Sequence, residues 1–123
     1  MAEKKTVLLV DDEPWIRDSG QRSLKLGGFA VLIAVNGQDA LDQLANFEVD
    51  IIVTDIDMPV ITGIELIKSV REAGRNVPFI AMSGRADDPA LVKELRALNV
   101  AEIIVKPFSW NDVMMPLIKK LIG

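Results

Sequence analysis

Two groups of aspartates follow short apolar runs in the first half of the chain. Asp11 and Asp12 come directly after TVLLV, and Asp55 comes directly after VDIIVT, with Asp57 two residues later. Carboxylates crowded together repel one another, and at least one of them would have a raised pKa. A hard divalent cation such as Mg²⁺, which prefers oxygen ligands, relieves that repulsion. A carboxylate in such a site can act as the nucleophile that forms an aspartyl phosphate.

Two further apolar runs end in residues that suit the same chemistry. Ser83 ends the fourth run and Lys106 follows the fifth. A lysine and a hydroxyl beside carboxylates and a cation complete a site for a group with several anionic oxygens, because catalysis of phosphoryl transfer is mostly positioning and charge neutralisation. The chain has no histidine and no cysteine, so the usual general base, thiolate nucleophiles and disulfides are excluded.

The elements that position these residues follow from two alternating apolar patterns. Five dense runs have the length of strands, and most lack alternation, which is typical of parallel strands buried on both faces. The predicted strands are Thr6–Val10, Phe29–Val35, Val49–Thr54, Val77–Met82 and Ile103–Val105. Segments with helical spacing separate them, which predicts an α/β fold whose parallel sheet is covered by helices on both faces. In the strand order 2-1-3-4-5 the ligand crevice lies between strands one and three, the two strands that end in aspartates.

Local signals place the helix ends. Pro14 suits the first turn of a helix, Ser109 is predicted to cap the last helix, and Asp87 is predicted to cap the fourth. Pro116 falls inside the last helix, where a kink or an early end is expected. Trp110 lies on the apolar stripe of that helix.

Other candidates have unremarkable interpretations. Trp15 and Trp110 are interpreted as packing residues rather than a ligand platform. The side chain of Asp57 is interpreted as a solvated acid beside the site rather than a metal ligand. Arg85 and Asp57 flank the site and are candidates for setting the lifetime of a phosphoryl group, in a direction that the sequence does not give.

Composition bounds the possible functions. A chain of 123 residues, half apolar and about a quarter charged, is the size of one globular domain. Its net charge of -4 gives no electrostatic footprint for nucleic acid or an anionic membrane. We expect no membrane span and no secretory leader, and cysteine usage is compatible with the cytoplasm.

Four motifs together resemble the receiver domain of two-component response regulators. They are VLLVDDEP, IIVTDIDMPVITGIEL, PFIAMSG and IIVKPF, and they occur in the family's order and approximate spacing over residues 5 to 121. The resemblance implies a single receiver domain over residues 1–123, with the flavodoxin-like strand order 2-1-3-4-5. It implies a signalling phosphoacceptor rather than an enzyme that acts on a separate substrate.

The resemblance also implies roles for the acids. Asp55 would be the phosphoacceptor and a ligand of Mg²⁺, with Asp12 as a direct ligand and Asp11 acting through water. The backbone carbonyl of Asp57 would be a further ligand.

The remaining implied roles concern the later strands. Ser83 would donate a hydrogen bond to a phosphoryl oxygen, and Lys106 would pair with the acids and then with the phosphoryl group. Family members usually have a cis bond at the equivalent of Lys106-Pro107. The phosphoryl group would come from a sensor histidine kinase, a phosphotransfer protein or a small acyl phosphate, in the cytoplasm. The signal would pass to an effector or to the protein's own output domain, with no nucleic acid or membrane bound by this domain.

Departures from the family pattern leave alternatives open. Ile103 occupies the position where receivers often carry the aromatic residue of their switch. One alternative is therefore that the chain is a receiver-like interaction module that is never phosphorylated. A small phosphatase of the haloacid dehalogenase type is also open, because Asp55 and Asp57 imitate its DxD pair. Against it, Pro59 stands where that motif has a hydroxyl, and the second acidic pair comes first in the chain rather than last.

Overall fold

A parallel sheet forms the centre of the molecule. The computed structural model describes residues 4–123, so residues 1–3 of the predicted domain lie outside the described part. Within the described part the sheet has five strands in the order β2-β1-β3-β4-β5, and every neighbouring pair is parallel. The strands are β1 Thr6–Val10, β2 Ala30–Ala34, β3 Ile51–Asp55, β4 Phe79–Ser83 and β5 Glu102–Val105. The predicted fold class and strand order are therefore confirmed, and most strand bounds differ from the predicted ones by one or two residues.

Helices cover both faces of the sheet. They are α1 Pro14–Leu26, α2 Gly37–Leu44, α3 Gly63–Glu72, α4 Pro89–Ala97, a π-helical segment Trp110–Met114, and α5 Met115–Ile122. One apolar cluster joins the sheet to α2, α3 and α4, and the other joins it to α1 and the last two helical segments. Burial on both faces explains why the strands read as continuous apolar runs. Among residues 4–123, no helix is long and apolar enough to cross a membrane.

Most of the predicted helix ends are found where the signals placed them. Pro14 begins α1, and Ser109 accepts a hydrogen bond from the amide of Asp112, as a capping residue does. The predicted cap of α4 is wrong by one residue. Asp88 rather than Asp87 accepts the bond from the Ala90 amide, at 3.0 Å, because Pro89 already occupies the first helical position.

The region around Pro116 differs from a kinked α-helix. The chain before it is wound more loosely, and the amide of Met114 donates to the carbonyl of Ser109 five residues back, at 3.2 Å. Regular α-helix begins only at Met115, so Pro116 lies in the first turn of α5. A missing N–H costs nothing there, which is how the fold accommodates the proline.

Candidate functional site

Three carboxylates meet at the carboxyl ends of β1 and β3, which are neighbours in the sheet. One oxygen from each of Asp11, Asp12 and Asp55 lies within 4.8 Å of the others. Asp11 is fully buried and Asp55 is only 3% exposed. Asp12 is exposed, so the group opens to solvent on its side. The structure thus brings together the acids that the sequence placed at two strand ends.

The backbone around Asp55 holds this carboxylate firmly. The amide of Asp57 donates to Asp55 Oδ1 at 3.2 Å, and the amide of Gly63 donates to the carbonyl of Ile56 at 3.0 Å. A Cβ atom at Gly63 would overlap the carbonyl oxygen of Asp55 and would lie 2.7 Å from the Cα of Ile56. Helix α3 can approach the end of β3 this closely only with glycine at its first position. Sequence analysis missed this role of Gly63, although Thr62 and Glu65 form a capping box around it that marks the helix start.

Lys106 reaches the acids from the end of β5. Its Nζ lies 2.9 Å from Asp11 Oδ2, 3.4 Å from Asp55 Oδ2 and 3.8 Å from Glu13 Oε1. Burial by itself would lower the pKa of Lys106, but the hydrogen bonds and charges of Asp11 and Asp55 together raise it. The lysine is therefore a protonated cation within the acid group, closer to Asp11 than to Asp55. The bond between Lys106 and Pro107 is cis, as the resemblance implied.

Burial and mutual repulsion change the acidity of the two inner carboxylates. Burial, and then the charge of Asp11, raise the pKa of Asp55 to about 6, although Lys106 opposes the shift. Burial also raises the pKa of Asp11, against the hydrogen bonds from the Glu13 amide and Lys106. Both shifts are due first to burial, so ionising Asp11 and Asp55 is costly in this group.

Ser83 and Asp57 are linked directly, with Arg85 as a third member. The fully buried hydroxyl of Ser83 donates to Asp57 Oδ2 at 2.9 Å. The guanidinium of Arg85 donates to Asp57 Oδ1 at 2.6 Å through Nη2 and at 3.2 Å through Nε. Burial would raise the pKa of Asp57, but the hydrogen bonds from Arg85 and Ser83 hold it below its usual value. Asp57 is thus an exposed acid beside the acid group, as the sequence predicted, and it is also ion-paired with Arg85, which the sequence did not predict.

Three other predicted residues lie outside the acid group. Trp15 is 62% exposed, so its interpretation as a packing residue is wrong, whereas Trp110 is partly buried against the cluster beneath α1. Trp15 instead lines an open groove with Phe108 and Trp110. Ile103 is half-buried and packs against the cluster shared with α4.

The donor set fits a hard divalent cation. Three carboxylates offer oxygen ligands only, one of them is open to solvent, and their charge exceeds that of Lys106. Mg²⁺ is commonly held by one or two carboxylates, with water and phosphate oxygens completing its octahedron. The residues that would hold it are Asp11, Asp12 and Asp55.

Comparison with known families assigns the chain. Residues 7–117 match the family described as the response regulator receiver domain, and the chain belongs to that family. It is 32% identical over 108 residues to the response regulator MprA of Mycobacterium sp. (strain KMS), a match that covers 88% of this chain and 46% of that protein. MprA of Mycobacterium avium (strain 104) gives the same identity, with 47% of its length covered. The chain thus spans about half the length of the curated relatives it matches.

Solved structures agree with this assignment. The chemotaxis protein CheY4 of Vibrio cholerae superposes with a TM-score of 0.90 at 28% identity, covering 97% of this chain and 99% of that one. The response regulator TrrA of Thermotoga maritima, in complex with Mg²⁺ and a beryllium fluoride, superposes with a TM-score of 0.82 at 30% identity, covering 95% and 98%. The receiver family, rather than the haloacid dehalogenase family, is the class to which this chain belongs.

Proposed function

We propose that this receiver domain accepts a phosphoryl group on Asp55, with Mg²⁺ held by Asp11, Asp12 and Asp55. The observation that carries the proposal is the position of the three carboxylates, within 4.8 Å of one another, beside a lysine that contacts two of them. The similarity to a regulator whose structure contains Mg²⁺ and a beryllium fluoride supports the choice of ligand.

The chemistry is a displacement at phosphorus. A carboxylate oxygen of Asp55 attacks the phosphorus atom, the new P–O bond forms, and the bond to the donor breaks with its electron pair leaving on the donor. The bound cation would neutralise charge on the phosphoryl oxygens. Asp55 has to be ionised to attack, and its pKa of about 6 leaves it mostly ionised near neutral pH.

The other residues of the site act on the transferred group. Lys106, which lies 3.4 Å from Asp55, would pair with a phosphoryl oxygen, and Ser83 would donate a hydrogen bond to another. The backbone carbonyl of Asp57 would supply a further metal ligand. A phosphoryl group adds roughly -1.5 to -2 charges, which these donors and the cation must offset.

The proposal extends to the setting of the domain. The donor would be a sensor histidine kinase, a phosphotransfer protein or a small acyl phosphate, in the cytoplasm. The receiver would occupy residues 1–123 as one domain and would signal to an effector or to an output domain of its own. It would contact neither nucleic acid nor a membrane itself.

Intact-protein mass spectrometry tests the proposal. Incubation with Mg²⁺ and acetyl phosphate should add the mass of one phosphoryl group, and chelation of the metal should prevent the addition. Asp55→Asn should abolish it, whereas Asp42→Asn, a matched change at an exposed position on α2, should not. A wild-type protein that gains no mass would instead indicate an interaction module that is not phosphorylated, and addition that survives Asp55→Asn would place the acceptor elsewhere.

A further inference from the structure

The loops that follow β3 and β4 are joined through one buried hydroxyl. Ser83 Oγ donates to Asp57 Oδ2 at 2.9 Å and accepts from the backbone amide of Arg85, also at 2.9 Å. The Arg85 side chain returns to the other oxygen of the same carboxylate, at 2.6 Å and 3.2 Å. Both carboxylate oxygens of Asp57 are therefore engaged, one by Ser83 and one by Arg85.

The hydroxyl of Ser83 has a single proton to donate. In this structure that proton is directed at Asp57, which lies beside the acid group rather than within it. A hydrogen bond from Ser83 to a phosphoryl oxygen on Asp55 therefore requires the bond to Asp57 to break. Asp57 and the phosphoryl group are competing acceptors for one donor.

Arg85 decides how well Asp57 competes. An ion pair between exposed side chains is weak when each partner is free to move. Here the backbone amide of Arg85 donates to the Ser83 hydroxyl, and that hydroxyl donates to Asp57. With the bond from the Arg85 side chain to Asp57, the three residues form a closed ring of hydrogen bonds. The guanidinium thus keeps the Asp57 carboxylate facing Ser83.

We propose that Asp57 and Arg85 form a latch that holds the Ser83 hydroxyl in its resting position and lowers the affinity of the site for a phosphoryl group. The inference rests on the proposed function, because the latch opposes phosphorylation of Asp55. Asp57 and Arg85 are positioning residues in this scheme, since both act through Ser83. Arg85 also lies 3.7 Å from Asp88, the residue that caps α4, so the latch is in contact with the start of that helix.

The test is the equilibrium affinity of the full chain for beryllofluoride, a phosphoryl mimic, in the presence of Mg²⁺, measured by titration calorimetry. Asp57→Ala removes the competing carboxylate and keeps the backbone carbonyl. Arg85→Gln removes the guanidinium that orients the Asp57 carboxylate. Each variant should bind the mimic about two- to five-fold more tightly, as expected for the loss of one modest hydrogen bond. Titrations at about 0.5 M salt screen the change in net charge.

The sign of the two effects separates the latch from simple electrostatics. If only charge mattered, Asp57→Ala would tighten binding of the anionic mimic and Arg85→Gln would weaken it. The latch requires both changes to tighten binding, and requires both effects to disappear in a Ser83→Ala background. Opposite signs, or effects that persist without the Ser83 hydroxyl, would overturn it.

A second ion pair provides the matched control. Lys68 and Glu94 lie 3.7 Å apart on α3 and α4, with side chains about as exposed as those of Arg85 and Asp57. Glu94→Ala and Lys68→Gln should leave the affinity for the mimic unchanged, and thermal unfolding verifies that every variant is folded. A wild-type protein that binds no mimic refutes the proposed function itself, whereas normal binding with unchanged affinity in Asp57→Ala and Arg85→Gln refutes only the latch.

Discussion

Two ion pairs lie at the same edge of the sheet but in different surroundings. Lys106 contacts Asp11 at 2.9 Å, with side chains that are 16% and 0% exposed. Arg85 contacts Asp57 at 2.6 Å, with side chains that are 55% and 43% exposed. The pair with the shorter distance, Arg85 and Asp57, is thus the more exposed one. Distance alone therefore does not tell which ion pair matters more for stability.

Burial, rather than separation, decides what each pair can do. Charges taken out of water lose hydration, so removing one partner of a buried pair leaves an uncompensated charge and is strongly destabilising. An exposed pair exchanges easily with water and contributes little to stability. We therefore assign Lys106 and Asp11 to the permanent structure of the site, and Arg85 and Asp57 to its adjustment. Four predictions test this division.

The largest effect should come from Lys106→Met in metal-free buffer. The substitution leaves the buried carboxylates of Asp11 and Asp55 without a cation, and we expect the free energy of unfolding at neutral pH to fall by about 3 kcal/mol. Urea denaturation measures it, with Lys120→Met, at an exposed position on α5, as the control. A loss of unfolding free energy no larger than that of Lys120→Met would contradict the assignment of Lys106 to the permanent structure of the site.

Asp55→Asn should stabilise the metal-free protein. The pKa of Asp55 rises from 3.8 to about 6 on folding, so the folded state binds a proton more readily than the unfolded state between these values. The wild type therefore loses stability as the pH rises from about 4 to 6, and the neutral variant avoids a cost of at most about 3 kcal/mol above that range.

Denaturation of the wild type and Asp55→Asn across pH measures this cost. The difference between them should be largest near pH 7 to 8 and should shrink toward about pH 3, which lies below the pKa of this carboxyl in both states. Asp42→Asn controls for the loss of one surface charge. A difference that does not change with pH would show that charge burial at Asp55 is not its cause.

Mg²⁺ should stabilise the folded protein to a smaller extent. At a concentration ten times the dissociation constant, the expected gain is about 1.4 kcal/mol, because only the folded state holds the ligands together. Asp12→Ala should reduce the gain at a given concentration, and Asp57→Ala should retain it, since Asp57 is expected to contribute only its backbone carbonyl. Thermal unfolding over a range of Mg²⁺ concentrations makes the comparison. If Asp57→Ala lost as much of the Mg²⁺-dependent stabilisation as Asp12→Ala, the Asp57 side chain would be identified as a ligand.

The smallest effect should come from Arg85→Gln. Its guanidinium lies at the surface, so the thermal midpoint should remain close to that of the control Lys68→Gln, and far above that of Lys106→Met. The variant is informative because its affinity for beryllofluoride should change while its stability does not. A loss of stability comparable to that of Lys106→Met would show that Arg85 belongs to the permanent structure of the site.

Much of the site could be predicted because it is encoded in short segments. A buried parallel strand is a run of apolar residues, and the residue that ends the run lies at the edge of the sheet. Asp55 and Ser83 were found in this way, and each is the last residue of its strand. Lys106 follows β5 directly. The roles of these residues in phosphoryl transfer stay predictions until the experiments above are done.

Other features depend on side-chain torsions and on contacts between distant segments. Asp57 and Arg85 are 28 positions apart, and only the pairing of β3 with β4 brings their loops together. The cap of α4 is Asp88 rather than the predicted Asp87, because Pro89 occupies the first helical position. The pairing of Asp57 with Arg85 has no signal in the local pattern of residue types, whereas Pro89 in the first helical position is a local signal for the cap at Asp88.

The sequence by itself determined the fold class, the strand order and the set of polar residues at the edge of the sheet, because apolar periodicity and family motifs are local properties of the chain. Only the tertiary structure decided how those residues pair. It places Lys106 nearer to Asp11 than to Asp55, and it engages Ser83 with Asp57. The physical reason is that several acids compete for few donors, and differences of less than 1 Å between crowded side chains select the partners.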